Sequence, residues 1–143
     1  MIDPQGDVYK RLTGDSELAS MLGRYAAVEV ALFSDFVPSD LTIEESPVGV
    51  VSAPITNTQD DTYDQDYRRV ELNVRFYHRP SGSSLILDQA ADKARSVLKL
   101  WPAGAITGGS LVSATVTGPV SAPTDDPSLS GRLLNVRLLI KET

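Results

Sequence analysis

The sequence predicts an α+β fold in which a mostly antiparallel sheet is covered on one face by a long helix, with short N-terminal helices. Several segments alternate apolar and polar residues, which is the period of a β-strand. One segment, from Ser83 or Ser84 to about Trp101, repeats apolar residues at spacings of three and four, the pattern of an amphipathic helix. Strands precede and follow this helix, an order typical of antiparallel sheets. A chain of 143 residues fits one domain, spanning positions 1–143.

The N-terminal segment predicts two short helices. Asp3-Pro4 is a favourable start for the first, because Asp caps free N–H groups and Pro is preorganised for the first helical position. Gly14 suits the C-terminal end of this helix. Asp15 or Ser16 is expected to begin the second helix, which Gly23 ends.

Five segments are predicted as strands, and three polar segments between them are predicted as loops. The clearest strand is 67–79, in which alternate residues are apolar. The other predicted strands are 27–33, 48–53, 111–117 and 133–140. The predicted loops are 34–47, 54–66 and 118–130. The predicted core consists of Val28, Val30, Leu32, Val50, Val70, Leu72, Val74, Phe76, Ala90, Ala94, Val97, Leu98, Val112, Val116, Leu134, Val136 and Leu138.

Composition excludes several classes of function. The net charge is −6, so broad binding to nucleic acid phosphates, which requires clustered Lys and Arg, is not expected. The sequence contains no cysteine, which excludes disulfides and thiolate-ligated metals. No apolar run reaches the roughly 20 residues of a membrane span, and the N-terminus does not resemble a signal peptide. We therefore expect a soluble protein that is not exported.

Three segments resemble chemical motifs, but each lacks a required residue. His78 is the single histidine and has no cysteine or serine elbow to act with, so a structural role is expected. The acidic stretch from Asp60 to Asp66 has Gln65 where a calcium loop needs glycine. Residues 104–110 have the glycine spacing of a phosphate loop but no lysine. The sequence predicts no catalytic residue, no cofactor and no metal site, and a site assembled from distant residues stays open.

Each predicted strand has one face in the core and one face that carries its polar residues. The polar face is the best candidate for a surface that contacts other proteins. It mixes both charge signs with apolar side chains, so it is only partly satisfied in a monomer. The acidic stretch beside it is expected to be poorly ordered over 56–66 until a partner binds. The predicted contact residues are Asp60, Asp61, Asp64, Asp66, Arg69, Glu71, Arg75, Asn135, Arg137 and Leu139.

The order of these segments resembles the tail terminator, or tail completion, proteins of long-tailed bacteriophages and gene transfer agents. The resemblance extends from about Val8 to Ile140. It includes the short helix ending Leu18-Ala19-Ser20-Met21-Leu22-Gly23 and the proline-led strand Glu45-Ser46-Pro47-Val48-Gly49-Val50-Val51. The strand Arg69-Val70-Glu71-Leu72-Asn73-Val74-Arg75-Phe76-Tyr77 then precedes a helix that contains residues 87–98.

The resemblance implies a structural virion protein rather than an enzyme. Such proteins form a ring, usually hexameric, on the head-proximal end of the tail tube, and the virion is assembled in the host cytoplasm. The ring ends tube polymerisation and presents a surface to the head-side connector protein, and DNA passes through its bore without specific binding. Alternatives are a head–tail connector or another minor tail subunit and, in a different class, a soluble enzyme subunit or a ligand-binding module.

Overall fold

Strands make up most of the regular structure in the computed structural model, which describes residues 1–26, 29–60 and 66–143. The helices are α1 (Pro4–Thr13), α2 (Ser16–Met21) and α3 (Leu85–Lys99). The strands are β1 (Arg24–Tyr25), β2 (Glu29–Val30), β3 (Leu32–Ser34), β4 (Val48–Val51), β5 (Thr56–Asp60), β6 (Tyr67–His78), β7 (Gly104–Ile106), β8 (Gly109–Ser121) and β9 (Ser130–Glu142).

A seven-stranded sheet organises the fold. Its order is β3-β4-β6-β9-β8-β7, and β5 pairs with β6 beside β4. β4 and β5 share one edge of β6, since β4 pairs with residues 74–77 and β5 with residues 67–71. All pairs in this sheet are antiparallel except β3 with β4. The predicted mixed α+β class with a mainly antiparallel sheet is therefore confirmed.

The helical layer differs from the predicted single long helix. α3 has 15 residues and ends at Lys99, before the predicted end at Trp101. α1 and α2 pack against α3, and α1 also contacts β3 and β4. Three short helices thus form the layer. The residue before Pro102 avoids the α conformation, which explains why the helix stops early.

The caps of the first two helices lie where the sequence predicts them. The side chain of Asp3 accepts a hydrogen bond from the Gly6 N–H at 3.1 Å. The side chain of Asp15 accepts one from the Leu18 N–H at 2.8 Å. Each bond satisfies a donor that has no partner inside its helix, which fixes where the helix begins.

The core lies between the helices and one face of the sheet. Most of the predicted core is buried there: Leu32, Val70, Leu72, Val74, Phe76, Ala90, Ala94, Val97, Leu98, Leu134, Val136 and Leu138. Val50 is also buried, but it lies opposite Arg75 on the other face of the sheet, and Val51 takes the core position on β4. Val30 and Val116 are partly buried against the core. Val28 lies outside the described residues.

A β-bulge makes the prediction for Val112 wrong. Leu111 pairs with Ile140 and Ser113 pairs with Leu139, so Val112 is an extra residue in β8. An inserted residue reverses the alternation of side chains on one side of it. Val112 is therefore 43% exposed, and Leu111 takes the buried position.

Two further segments differ from the sequence-based expectation. The predicted strand 27–33 is divided into β2 and β3, with Ala31 between them. The predicted loop 54–66 contains β5, which pairs with β6, so the loop assignment is wrong for residues 56–60. Residues 61–65 lie outside the described part of the chain. The expectation that 56–66 is poorly ordered in the free subunit stays a prediction.

Gly49 allows the close contact between β4 and its neighbours. A methyl group at this position would lie 2.5 Å from Leu32 Cδ1 and 2.9 Å from Phe76 Cε1. We expect Gly49→Ala to lower the free energy of unfolding by about 1–3 kcal/mol, because both neighbours are buried and packed. Gly23→Ala is the control, since its nearest neighbour would be 3.5 Å away. Equal denaturation midpoints for the two variants would contradict this packing.

Candidate partner-binding face

The sheet surface opposite the helical layer carries the predicted contact residues. We call it the open face and define it by Arg69, Glu71, Asn73, Arg75, Asn135, Arg137 and Leu139. β6 and β9 are adjacent, and their register places these residues together. Arg69 lies opposite Leu139, and Glu71 lies opposite Arg137. The alternation along two strands thus correctly predicts that these side chains share one surface.

The predicted acidic residues occupy a different place. Asp60 is the last residue of β5, paired with Tyr67 across the ladder. Asp66 is exposed and immediately precedes β6, and its carbonyl oxygen accepts a hydrogen bond from the Glu142 N–H at 2.7 Å. Asp61 and Asp64 lie outside the described residues. Of the predicted acidic residues, Asp60 and Asp66 therefore lie at the start of β6.

Glu71 is the centre of the polar contacts on the open face. Its Oε1 accepts a hydrogen bond from Asn135 Nδ2 at 2.7 Å. Its Oε2 lies 3.8 Å from Arg137 Nε. The side chain of Arg137 is 67% exposed, so solvent screens this ion pair and its effect on stability is small. Most of the Arg137 guanidinium is therefore available to a partner.

Polar atoms without a partner accumulate on the same face. Asn73 Oδ1, Asn135 Oδ1 and Arg75 Nε are buried and have no hydrogen-bond partner among the described residues. A buried polar atom without a hydrogen bond costs about 1–3 kcal/mol. This surface therefore has polar groups that a bound partner is able to satisfy after small side-chain rotations.

Two shallow grooves lie on the open face. The first, about 440 Å³, lies at the β5 end of the sheet. Its polar lining residues are Thr56, Thr58, Arg69, Glu71, Ser113, Thr115 and Arg137. The second, about 460 Å³, lies at the opposite end and is lined by Val37, Ile43, Arg75, Tyr77, Pro123, Thr124, Asp125, Asp126 and Leu129.

Sequence reasoning missed the outer residues of the first groove. Thr56 and Thr58 lie in the predicted loop 54–66, although β-branched residues at alternate positions are a signal for a strand. Ser113 and Thr115 lie on β8, opposite Leu139 and Arg137 of β9. The parity of β8 relative to β9 depends on the bulge at Val112, which the sequence does not reveal.

Asp126 organises the loop that borders the second groove. Its carboxylate accepts hydrogen bonds from the Ser128 hydroxyl at 2.6 Å and the Ser128 N–H at 2.9 Å. Arg79 Nη2 lies 3.6 Å from the second carboxylate oxygen, Asp126 Oδ2. The bonds from Ser128, reinforced by the Arg79 charge, hold the pKa of Asp126 below its ordinary value of 3.8.

This depressed pKa predicts how the loop responds to acid. The loop contacts of Asp126 are present above the ordinary carboxyl pKa and are lost as pH falls through the lower folded-state pKa. A carboxyl NMR titration of Asp126 should therefore give a midpoint below 3.8. Ser128→Ala should raise that midpoint, since it removes the bond from the hydroxyl. An unchanged midpoint in the variant would contradict the assigned cause.

His78 connects the end of β6 to the preceding loop. The residue is fully buried, and its Nδ1 lies 3.0 Å from the Glu45 carbonyl oxygen. Because a carbonyl only accepts hydrogen bonds, Nδ1 carries the proton. The histidine thus fixes the segment before β4 against the sheet.

Neither a metal site nor a membrane-spanning helix is found within the described ranges, 1–26, 29–60 and 66–143. In them, no three His, Cys, Asp or Glu side chains are grouped so that they could hold a metal ion. No helix in the same ranges has the length and apolar character needed to cross a membrane.

Comparison with known proteins gives a likeness in fold. No family model matches the sequence, and no curated protein matches it. The fold is similar to that of a chain in the solved structure of the virion of a native gene transfer agent particle. The TM-score is 0.71 at 16% sequence identity, over 96% of this chain and 94% of that chain. At this identity, the comparison shows a shared fold over nearly the whole of both chains.

Proposed function

We propose that this chain is a structural virion subunit that acts by assembly and not by catalysis. In this proposal it forms a hexameric ring on the head-proximal end of a tail tube. The ring ends tube polymerisation and joins the tail to the head connector. The observation that carries the proposal is the likeness in fold, over 96% of the chain, to a component of a gene transfer agent virion.

The open face supplies the chemistry for contacts between subunits or with the tail tube protein. It combines the exposed guanidinium of Arg137 with Glu71, Leu139 and polar atoms that lack partners. A surface with both charge signs is able to pair with a different surface of the next subunit. A heterologous contact of this kind closes into a ring when its rotation is a simple fraction of a turn.

Sheet edges complete the proposed contact. A stable interface buries about 1,200–2,000 Å² in total, which is more than one small groove provides. We therefore assign the ring interface to the open face together with the strands at the two edges of the sheet. DNA is proposed to pass through the bore without specific binding, in line with the net charge of −6.

Tube assembly in the presence of the purified chain tests this function. The tube protein encoded with this chain is polymerised with and without it, and tube lengths are measured by electron microscopy. The chain should form a ring on one tube end and stop elongation there. A chain that binds the head connector but leaves elongation unchanged would be a connector instead. If the tubes elongate normally and the chain does not bind them, the proposed role at the tail tube is contradicted.

A further inference from the structure

We propose that neighbouring subunits join by strand pairing, in which residues 112–117 of β8 bind β5 of a second copy of this chain. This inference rests on the proposed ring and specifies how the ring is held together. Four features of the sheet carry it: a free edge on β8, a free edge on β5, the directions of the two strands and their positions along the sheet.

The free edge of β8 carries neither charge nor proline between its two register shifts, at Leu111/Ser113 and Thr117/Val120. β8 has 13 residues and pairs with β9 on one side. On its other side, within the described part of the chain, it pairs only with β7, over Gly109–Leu111. The next six residues, Val-Ser-Ala-Thr-Val-Thr, contain no charge and no proline. Folded proteins normally guard an exposed edge with charges, proline or short length, so this edge is suited to pair with another strand.

The opposite edge of the sheet presents a second free strand. β5 pairs with β6 and with no other described strand. Its residues from Thr56 to Gln59 are uncharged and exposed. Large apolar side chains also lie at both edges, since Ile55 is 58% exposed and Val112 is 43% exposed. Pairing between two copies would bury apolar surface on each.

Strand direction permits an antiparallel pair in a closed ring. β5 is antiparallel to β6, β6 to β9, and β9 to β8, so β5 and β8 run in opposite directions. Rotation about an axis along the strands keeps these directions. β8 of one subunit therefore meets β5 of the next as antiparallel neighbours, the pairing that continues the existing sheet.

The two edges also lie at matching positions along the strands. Thr56 pairs with Glu71, and Glu71 pairs with Arg137 on its other side. Arg137 pairs in turn with Thr115, so Thr56 and Thr115 lie at the same height along the strands. Cyclic symmetry allows no translation along the ring axis, so the partner edges must lie at similar levels. At these levels, residues 56–59 lie opposite residues 115–112, so four residues of each edge meet this requirement.

Backbone hydrogen bonding identifies the groups that face the neighbour. The Glu142 N–H bonds the carbonyl oxygen of Asp66, on the β6 side of β9. Bonded pairs alternate along an antiparallel ladder, so the odd-numbered residues of β9 bond β8. Their partners in β8 are the odd-numbered residues 113, 115 and 117. Ala114 and Val116 therefore direct their N–H and C=O groups outward.

The same reasoning identifies the outward groups of β5. The Ser52 N–H bonds the Asn73 carbonyl oxygen, so the odd-numbered residues of β6 bond the edge that contains β5. Thr56 and Thr58, opposite Glu71 and Arg69, then bond β6. Asn57 between them directs its backbone groups outward, and it is the expected counterpart of Ala114 in the next subunit.

Paired proline variants test the proposal in the tube-capping assay. Ala114→Pro and Asn57→Pro each remove one outward N–H and leave the ladder inside the subunit complete. Each should raise the concentration needed for half-maximal capping by about tenfold or more. Val112→Lys guards the same edge without a change of backbone and should act in the same direction. Leu100→Lys, at an apolar residue 73% exposed at the end of α3, is the control and should cap like the unmodified chain.

Mixing the two proline variants tests whether the occupant is a second copy. Ala114→Pro keeps a normal β5 edge, and Asn57→Pro keeps a normal β8 edge. The mixture should form heterodimers by sedimentation but no ring. If only the β8 variants lose capping, β8 pairs with another protein and the proposal is wrong. If all the variants are folded and cap normally, the strand-pairing proposal is wrong, although the chain still forms a ring. Failure of the unmodified chain to form rings would instead overturn the proposed function.

Discussion

Replacing Leu72 with alanine is expected to lower the free energy of unfolding by about 2–5 kcal/mol. Leu72 is fully buried on β6 and lies opposite Val136 of β9, under the helical layer. The substitution removes buried apolar surface and leaves a cavity between two central strands, which cannot shift without disturbing both ladders. Denaturant unfolding followed by circular dichroism measures the change.

An exposed leucine provides the control for this measurement. Leu85, at the start of α3, is 61% exposed. Leu85→Ala should change the free energy of unfolding by only about 0.5 kcal/mol. Similar losses for Leu72→Ala and Leu85→Ala would show that the assignment of the two faces of β6 is wrong.

Reversing two arginines on the open face is expected to abolish tube capping. Arg137→Glu places a second carboxylate beside Glu71. Arg75→Glu adds a further carboxylate to the same face, on β6. Like charges along a contact oppose association, whereas a single exposed ion pair contributes only about 0–1 kcal/mol. The double variant should therefore lose capping, and Arg75→Glu alone should only weaken it.

A second double variant controls for net charge. Lys10 and Lys99 are exposed on α1 and α3, away from the open face. Lys10→Glu with Lys99→Glu produces the same change in net charge and should cap normally. Circular dichroism establishes that both proteins are folded. A folded Arg75 and Arg137 double variant that still caps tubes at normal length would exclude the open face from the interface.

The sequence is sufficient to predict the central strands because their pattern has one physical cause. One face of β6 and β9 is buried under helices, so alternate residues must be apolar, and Leu72 and Val136 follow from that rule. The same alternation correctly places Arg69, Glu71 and Arg137 on one surface. Helix caps are predictable for a similar reason, since Asp3 and Asp15 act on residues only three positions away.

The features that depend on partner strands are not predictable from local pattern. The bulge at Val112 is defined by how β8 pairs with β9, and it reverses the side-chain parity there. β4 is buried on both faces, so all four of its residues are buried and alternation carries no information. β5 is polar and exposed, so its local signal is limited to the β-branched Thr56 and Thr58, and its pairing with β6 defines it as a strand. The first groove on the open face is lined by β5 and by β8 beyond the bulge, so it depends on two of these three features.

Electron cryo-microscopy of the particle that contains this chain tests the central proposal most directly. The density at the head-proximal end of the tail tube should contain a ring of six copies of the fold described here. In that ring, β8 of each copy should lie beside β5 of the next. A ring of another protein at that position, with this chain elsewhere or absent from the particle, would contradict the proposal that it caps the tail tube.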